Sequence, residues 1–355
     1  MTEFKLGSKR IGDGHPVYFI AEIGANHCND LAHTKRLIEL AKEAGADCAK
    51  FQHYRADTLA SHYGFEQLAS LAHYTANPYD VFKKYQIPWE WTPILKEYCD
   101  EVGIEFMSTP YDLEAVDHLD PYVNAYKIGS GDITYRELVE RVGSKGKPVL
   151  LSIGASGWGE CLKSISWLPV MLPVVVLQCN TNYTSSMYNF EVNESFSNLK
   201  VIEKFADMVE EGYTLTGLSD HTMVTSIPVL AAVTLGAKVI EKHFGMVDCS
   251  SPDSTFDLHP GEFEHMVKQV RRLERALGDG VKKVEDNERE TVVLQRRCMR
   301  ATRDLYAGSK LVEADMAPLR PAPEGSVTPS LADELVGKAL RRDVVAGEHF
   351  RLEDL

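Results

Sequence analysis

The sequence has 355 residues, of which 44% are hydrophobic and 25% are charged, a balance that supports a sizeable buried core and argues against a disordered chain. Because a single core seldom grows beyond roughly 250–300 residues, we expect one large domain and a second, smaller one. The formal net charge of −14 disfavours nucleic acid and anionic membrane surfaces as partners.

We expect no export signal and no membrane-spanning segment. The first residues, MTEFKLGSKRIGDGHPVYF, lack a basic region followed by a long apolar stretch, and no run approaches the roughly 18 apolar residues of a membrane span. The sequence therefore predicts a cytoplasmic protein. Seven scattered cysteines without a CxxC pair indicate reduced thiols rather than a disulfide framework.

Short apolar runs alternate with helix-like segments from about residue 17 to residue 275. Eight of these runs are strand candidates, at 17–24, 48–52, 104–109, 125–130, 148–154, 173–179, 213–221 and 237–244. The clearest helix-like segments are 226–236 and 260–276. Unbroken apolar strands that alternate with helices are typical of a parallel sheet covered by helices.

Eight such strands predict an α/β fold of the (β/α)₈ barrel type, which needs roughly 250 residues. An open doubly wound sheet would normally carry GxGxxG after its first strand, whereas this chain has AEIGANHCND there. We expect the catalytic barrel to occupy residues 1–277 and a charged linker to follow at 278–295. Short β-prone pieces punctuated by AGS, RPAPEG and AGEH predict a compact β-rich module at 296–355.

Polar residues concentrate at the carboxyl ends of the candidate strands, where barrel enzymes place their chemistry. Any one of them could be a buried, hydrogen-bonded strand cap, so the prediction depends on the whole set. The set comprises Glu22, Lys50, Gln52, Ser108, Lys127, Ser130, Ser152, Thr181, Asn182, Ser219, His221, Glu241 and His243.

Two histidines, His221 and His243, fall at the ends of strands seven and eight, which are neighbours in a closed barrel. Two neutral imidazoles suit a divalent metal such as Mn²⁺, Fe²⁺, Co²⁺ or Zn²⁺, with water or substrate oxygens completing the shell. From spacing alone, a pair of structural histidines or an acid–base pair is also open.

Lysines and hydroxyl groups recur on successive strand ends of this acidic chain and predict an anion pocket for phosphate or carboxylate. These residues are Lys50, Lys127, Ser130, Ser152 and Ser219. Alternatively, one lysine could form a Schiff base, as in a barrel aldolase. Glu22 is either a general acid or base or a partner of a lysine, and Lys242 should point outward beside His243.

Seven motifs at these strand ends resemble, in the same order, those of the sialic acid synthase family, which condenses phosphoenolpyruvate with an acylated aminosugar. They are FIAEIGANH, AGADCAKFQ, STPYDLEAVDHL, AYKIGSGDI, GKPVLLSIGAS, GLSDHT and GAKVIEKHF. The tail resembles the antifreeze-like (SAF) domain of those enzymes. The resemblance covers nearly the whole chain, which makes the set of motifs specific where a single motif would be weak.

The resemblance implies a barrel followed by the SAF domain, in a domain-swapped homodimer. It implies that His221 and His243 hold a divalent metal, Mn²⁺ first and Mg²⁺ or Co²⁺ next, that polarises the sugar aldehyde, and that Glu22 contacts the reacting centre. Phosphoenolpyruvate would be bound by Lys50, Gln52, Lys127, Ser130, Ser152, Thr181 and Ser219. The sugar would be bound by Asp132, Tyr183, Asp253 and, from the partner's tail, Arg320.

Three segments depart from the family pattern. Asp132 stands where many bacterial members have glutamate, and QCNTNYTS lacks the usual histidine and proline beside Thr181. SSPDSTFDLHP keeps the Pro–Asp pair but more nearly resembles the PDSxFSL pattern of pseudaminic acid synthases. These departures concern the identity of the sugar more than the reaction.

The expected activity is therefore that of an N-acetylneuraminate-type synthase. It would convert phosphoenolpyruvate, an N-acetylmannosamine-like aminosugar and water to a nine-carbon 2-keto sugar acid and phosphate. A pseudaminic or legionaminic acid synthase acting on a 2,4-diacetamido hexose is the nearest alternative. A Schiff-base aldolase and a non-catalytic sugar-binding or ice-binding protein are the others.

Overall fold

The structure is a computed structural model that describes residues 2–65, 77–182, 195–208, 213–223, 227–246 and 251–355. The chain divides into two compact units, residues 1–277 and 278–355. Within the described residues, no helix is long and apolar enough to span a membrane.

The first unit is a closed barrel of eight parallel strands, as the sequence predicts. A two-stranded antiparallel hairpin, β1 (Glu3–Leu6) and β2 (Lys9–Gly12), comes before it. The barrel strands are β3 (Tyr18–Glu22), β4 (Cys48–His53), β5 (Glu105–Pro110), β6 (Tyr126–Ile128), β7 (Val149–Ser152), β8 (Val174–Cys179), β9 (Thr214–Asp220) and β10 (Val239–His243). Each strand is hydrogen-bonded to the next one in the sequence, and β10 pairs with β3 to close the barrel.

Helices separate most of these strands and cover the outside of the barrel. They are α1 (Leu31–Glu43), α2 (Ala56–Leu59), α3 (Pro78–Tyr85), α4 (Trp91–Val102), α5 (Leu113–Leu119), α6 (Arg136–Gly143), α7 (Trp158–Ser166), α8 (Lys200–Met208), α9 (Ile227–Thr234) and α10 (Pro260–Leu277). The helices expected at 226–236 and 260–276 are thus α9 and α10, with ends displaced by one or two residues.

Each barrel strand is buried on both faces, which explains why its sequence is a continuous apolar run. Helix α1 shows how the outer layer is built. Asp30 caps it by accepting hydrogen bonds from the backbone N–H groups of Ala32 and His33, which satisfies donors that have no partner within the helix. Its buried positions, which include Leu37, Ile38 and Ala41, recur at helical spacing and face the sheet.

The amino end of the barrel is filled by the hairpin, which the sequence pattern did not predict. Leu6 and Ile11 are fully buried and belong to the inner apolar cluster, together with Tyr18, Met107 and Val239. Apolar packing therefore fills the barrel from this end, and the polar strand ends lie at the other.

The second unit begins with a polar segment that contains α11 (Arg289–Gln295). It continues as the antiparallel pair β11 (Cys298–Ala301) and β12 (Met316–Leu319), with a short helix, α12 (Ala332–Leu335). Its separate core includes Leu311, Leu335, Val344 and Phe350. The expected small β-rich module is confirmed.

An internal repeat organises this unit. RDLYAGSKLVEADM (303–316) and RDVVAGEHFRLEDL (342–355) share the pattern R-D-x-x-A-G followed by a later aspartate. The side chain of Asp343 accepts a hydrogen bond from the N–H of Ala307, and that of Asp304 accepts one from the N–H of Ala346, each at 2.8 Å. The two copies therefore stabilise each other reciprocally.

The sequence predicts reduced thiols rather than a disulfide framework, and Cys28 departs from this prediction because it is disulfide-bonded. The free cysteines are Cys48, Cys99, Cys161, Cys179 and Cys298. Widely spaced cysteines in a sequence give no measure of which thiols the fold brings together.

Candidate active site

The carboxyl ends of the barrel strands bring buried charged side chains together. Glu22 on β3, Lys50 on β4, Lys127 on β6 and Glu241 on β10 are all at most 4% exposed. The strand register explains the meeting, because Glu22 pairs with Lys50 on one side and with His243 on the other. Charged groups are seldom buried unless they are paired.

These four charges form a continuous ionic network. Lys50 Nζ lies 2.6 Å from Glu22 Oε2 and 3.5 Å from Glu241 Oε1. Lys127 Nζ lies 3.3 Å from the same Glu241 oxygen, which also accepts a hydrogen bond from Ser219 Oγ at 3.2 Å. Glu241 therefore bridges the two lysines of the predicted anion pocket.

Two further polar residues complete the network on β4 and β5. Gln52 Nε2 donates to Glu22 Oε1 at 2.7 Å, and Lys50 Nζ donates to Thr109 Oγ1 at 3.2 Å. Gln52 and Lys50 alternate with outward-facing residues along β4, so both point to the interior of the barrel.

The two lysines experience different fields. Burial lowers the pKa of Lys50, but the charges of Glu22 and Glu241 outweigh it and leave the pKa raised. Burial, supported by the charge of Lys50, lowers the pKa of Lys127 overall although Glu241 acts the other way. Burial opposes ionisation of Glu241, yet Lys127 and Lys50 hold its pKa at about 2. Lys50 is thus a fixed cation, and Lys127 keeps its proton less firmly.

The two predicted histidines lie side by side at the same mouth, with ring centroids 5.4 Å apart. Phe256 packs edge-on against His243 at 4.8 Å. His221 Nδ1 lies 2.8 Å from the carbonyl oxygen of Asn180, and His243 Nδ1 lies 3.4 Å from Asp253 Oδ2. A carbonyl and a carboxylate at Nδ1 are the partners that commonly orient metal-bound histidines.

The pKa values of the two histidines are shifted in opposite directions. Burial lowers the pKa of His221 to about 3, and the neighbouring His243 adds to the effect. Burial also disfavours the charged form of His243, but the hydrogen bond and charge of Asp253 outweigh it and raise the pKa. His221 is therefore a neutral imidazole, the form that binds metals.

Glycines allow close approaches on both sides of the mouth. A side chain at Gly24, whose φ is +49°, would begin 2.3 Å from Asp253 Oδ2 and 3.3 Å from Glu22 Oε1. At Gly154 it would begin 2.6 Å from Thr181 Cγ2 and 2.9 Å from Ser130 Oγ. A Cβ at either position would force these neighbouring side chains to move, so the two glycines allow the polar groups to approach this closely.

Both units of the chain match known protein families. Residues 37–282 match the NeuB family, and residues 296–355 match the SAF domain. The first match covers more than half of the chain.

The chain belongs to the NeuB family.

Its relatives include an N,N'-diacetyllegionaminic acid synthase of Legionella pneumophila, which is 34% identical over 96% of this chain and 95% of that protein. The N-acetylneuraminate-9-phosphate synthase of Homo sapiens is 33% identical over 77% of this chain and 75% of its own. A crystal structure of N-acetylneuraminic acid synthetase from Leptospira borgpetersenii is similar with a TM-score of 0.69 and 28% identity, over 82% of this chain and 95% of that one. The predicted family resemblance is confirmed.

Most of the residues predicted for the site of this NeuB family member lie at one mouth of the barrel. They are Glu22, Lys50, Gln52, Lys127, Ser130, Ser152, Thr181, Ser219, His221, His243 and Asp253. Asp132 follows β6 in a short 3₁₀ turn. Burial raises the pKa of this carboxyl to about 6, although the charge of Lys127 acts the other way.

Two predicted residues are not among the described residues of the first unit. Tyr183 lies outside the described residues. Arg320 belongs to the second unit, where its side chain is exposed. Their predicted roles at the sugar stay predictions.

Sequence reasoning gave no role to three residues that the fold brings to the mouth. Glu241 was visible as a polar strand-end residue two positions before His243, a spacing that puts both on one face of a strand. Thr109 contacts Lys50 only through the register of β4 and β5. Asp257 is 4% exposed, and burial raises its pKa to about 7, which no local pattern indicates.

Proposed function

We propose that this NeuB family member is a nonulosonic acid synthase. It condenses phosphoenolpyruvate with the aldehyde of an N-acylated aminosugar and water, giving a nine-carbon 2-keto sugar acid and phosphate. The observation that carries the proposal is the meeting, at one barrel mouth, of a buried two-lysine anion pocket with a pair of imidazoles.

The lysine pocket suits the phosphate and carboxylate of phosphoenolpyruvate. Lys50 and Lys127 supply two cations, and Ser219 and Ser130 supply hydroxyl groups. Ser152 Oγ is buried and has no hydrogen-bond partner within the described residues. A buried hydroxyl without a partner is expected to gain one from a ligand, and the charged donors are well suited to phosphate oxygens. Gln52 and Thr181 border the same space.

The donor set also fits a divalent cation. His221 and His243 present paired imidazoles whose Nδ1 partners orient them, so Nε2 of each ring would hold the metal. No third His, Cys, Asp or Glu forms a metal cluster with them among the described residues, and water or substrate oxygens would complete the shell. Mixed nitrogen and oxygen ligation suits Mn²⁺, with Mg²⁺ or Co²⁺ as alternatives. The bound cation supplies Lewis-acid polarisation of the sugar aldehyde.

The proposed reaction gives each of these side chains a role. C3 of phosphoenolpyruvate attacks the aldehyde carbon, and the new alkoxide takes a proton from solvent, to which Asp132 later returns the proton that it accepts. Water adds at the cationic C2 and gives its proton to Asp132, whose raised pKa of about 6 suits a carboxylate that accepts protons near neutrality. The tetrahedral intermediate loses phosphate by C–O cleavage, while Lys50 and Lys127 stabilise the departing charge. Glu22 fixes Lys50 and Gln52 beside the reacting carbons.

A panel assay tests the proposal. The purified protein would be incubated with Mn²⁺, phosphoenolpyruvate and either N-acetylmannosamine, its 6-phosphate or 2,4-diacetamido hexoses of different configuration. We expect stoichiometric release of phosphate and a 2-keto acid with one of them. Two observations favour a diacetamido sugar. The PDSTFD segment resembles the pattern of pseudaminic acid synthases, and the relatives that match more than 90% of this chain include a legionaminic and a pseudaminic acid synthase of Campylobacter jejuni. Absence of phosphate release across the panel would refute the proposal.

A Schiff-base aldolase is the second candidate, and the lowered pKa of Lys127 is the observation that favours it, because a neutral amine is the nucleophile. Borohydride in the presence of pyruvate would then attach pyruvate to Lys127, and activity would survive EDTA. Loss of activity with EDTA together with no covalent adduct would exclude this candidate.

We also propose that the enzyme acts in the cytoplasm as a domain-swapped homodimer in which Arg320 binds the N-acyl group of the sugar in the partner's barrel. Arg320→Ala should then raise the KM for the sugar about tenfold with little effect on the KM for phosphoenolpyruvate. Mixing Arg320→Ala with a His221→Ala chain should restore part of the activity, because one of the two barrels regains both residues. Mixtures that show no gain would contradict the exchange between subunits.

A further inference from the structure

The motifs SDHT (219–222) and EKHF (241–244) contain two charged residues that the reaction does not use. Side chains alternate along a strand, so Ser219 and Glu241 face the barrel interior while Asp220 and Lys242 face the opposite side. Lys242 does point away from the reaction site as predicted, yet it is only 1% exposed. A fully buried lysine on the outer face of a barrel strand requires an explanation.

The explanation is a compact polar cluster behind the histidines. Lys242 Nζ lies 2.8 Å from Asp220 Oδ2 and also donates a hydrogen bond to the carbonyl oxygen of Thr222. Asp220 in turn accepts hydrogen bonds from the N–H of Thr222 at 3.2 Å and from its hydroxyl at 2.8 Å. The carboxylate and the ammonium therefore hold the backbone of Thr222, the residue that follows His221.

The register makes this cluster the direct neighbour of the predicted metal pair. Lys242 of β10 and Asp220 of β9 are paired positions. A histidine follows each of them, His243 after Lys242 and His221 after Asp220. At this position the ion pair and the hydrogen bond from Lys242 to the carbonyl oxygen of Thr222 connect the carboxyl ends of β9 and β10. Any shift of one strand end relative to the other would change the separation of the two rings, which is 5.4 Å between centroids.

We propose that the Asp220–Lys242 pair is a positioning device, which sets the separation of His221 and His243 for the cation. The inference rests on the proposed function for the identity of that cation. The geometry of the strand ends is the part that the pair controls directly. Both side chains face away from the proposed site, so both act through the histidines.

A double substitution separates positioning from stability. Lys242→Met alone leaves the Asp220 charge buried without its cation and should lower the Tm by roughly 5–15 °C. Adding Asp220→Asn removes the unpaired charge, and replacing both partners of a buried ion pair is often close to neutral for stability. The Tm of the double variant should therefore lie close to that of the wild type.

Metal affinity should not return with it. We expect the double variant to bind Mn²⁺ about tenfold more weakly than the wild type, the lower end of the effect of substituting groups around a metal site. The measurement is calorimetric titration of the full-length protein with Mn²⁺ alone. Asp220→Glu and Lys242→Arg keep the charges but change the length of the side chain. Their affinity for Mn²⁺ should lie between that of the wild type and that of the double variant.

A metal-free measurement accompanies the titration. Hydrogen exchange of the backbone at 219–222 should be faster in the double variant than in the wild type, while exchange on β5 and β6 stays the same. Lys9→Met is the matched control, because Lys9 pairs with the nearly buried Asp47 at the opposite end of the barrel. This control should lower the Tm without changing Mn²⁺ affinity or exchange at 219–222.

The outcomes are distinct. Mn²⁺ affinity and exchange that both recover in the double variant would overturn the inference and leave the pair with a purely structural role. If wild-type protein binds no Mn²⁺, the proposed metal site fails, and the exchange at 219–222 alone decides whether the pair positions the strand ends. Unchanged exchange would overturn the inference in that case too.

Discussion

The two ends of the barrel bury opposite kinds of side chain. At the amino end, Leu6 and Ile11 of the hairpin complete an apolar cluster, and each buried apolar side chain contributes roughly 1.5–3 kcal/mol to stability. At the carboxyl end, Lys50, Glu241 and Lys127 are buried in an ionic network. Desolvating such charges costs several kcal/mol per ion, which their pairing only partly offsets.

The difference teaches where stability and function reside in this fold. The amino end could be exchanged for other apolar packing without touching the reaction. Under the proposed function, the carboxyl end keeps this costly arrangement because its charges bind ligands. Substitutions at the two ends should therefore separate activity from stability.

The largest expected effect is at the histidine pair. His221→Ala should lower kcat/KM about 10³-fold, because the aldehyde loses its electrophilic activation. The free energy of unfolding should change by less than about 1 kcal/mol, since the residue lies at a strand mouth. Phosphate release and a thermal melt measure both. Activity within tenfold of wild type would show that His221 is not a metal ligand.

The next largest effect is expected at Lys127, whose pKa is lowered by burial. Lys127→Met should lower kcat/KM for phosphoenolpyruvate about 10²-fold, because the phosphate loses a charged donor. The matched control is Lys238→Met, which removes a lysine paired with Asp13 at the amino end. Equal losses in both variants would contradict the contrast between the ends.

At the amino end, Leu6→Ala should destabilise the fold by about 2–5 kcal/mol, the usual range for a buried leucine. The KM values should stay unchanged, since no strand-end residue moves. Denaturant unfolding and steady-state kinetics measure these two quantities. The exposed Leu113 provides the control, as its replacement by alanine should change stability by less than about 0.5 kcal/mol.

The smallest effect is on pH dependence. With the pKa of Asp132 raised to about 6, wild-type kcat should fall as the pH drops through 6, because the carboxylate that accepts the proton is lost. Asp132→Asn should be about tenfold slower and lack this limb, and Asp132→Glu should retain it. A limb at pH 6 that persists in Asp132→Asn would assign it to another group.

The same shift has a consequence for stability. Because the folded-state pKa lies above the ordinary value of 3.8, the folded protein binds this proton between about pH 4 and pH 6 and the unfolded chain does not. Wild-type stability should therefore decline across that interval as the pH rises. Asp132→Asn should remove this decline.

The sequence predicted the barrel and its mouth because both depend on local patterns. Strands buried on both faces are continuous apolar runs, such as VVVLQC on β8, and their polar residues cluster at the ends. The sequence did not predict the hairpin because its strands, EFKL and KRIG, have only four residues each. Such short segments do not show a recognisable period of hydrophobic residues.

The interactions of the site depend on which strands are neighbours and in what register. Glu241 and Glu22 are the same residue type at similar strand positions, yet only the fold shows that one bridges two lysines and the other holds Lys50 and Gln52. The burial of Asp257 and the disulfide of Cys28 likewise arise from contacts between distant segments.

The internal repeat makes the two halves of the second unit depend on each other. Each copy supplies the aspartate that closes the turn of the other, at Ala307 and Ala346. A chain that carried one copy alone would find that aspartate only in another molecule of its own kind. The exchange is self-complementary in the way of a twofold symmetric dimer, so the unit consists of two matching halves, each of which completes the other.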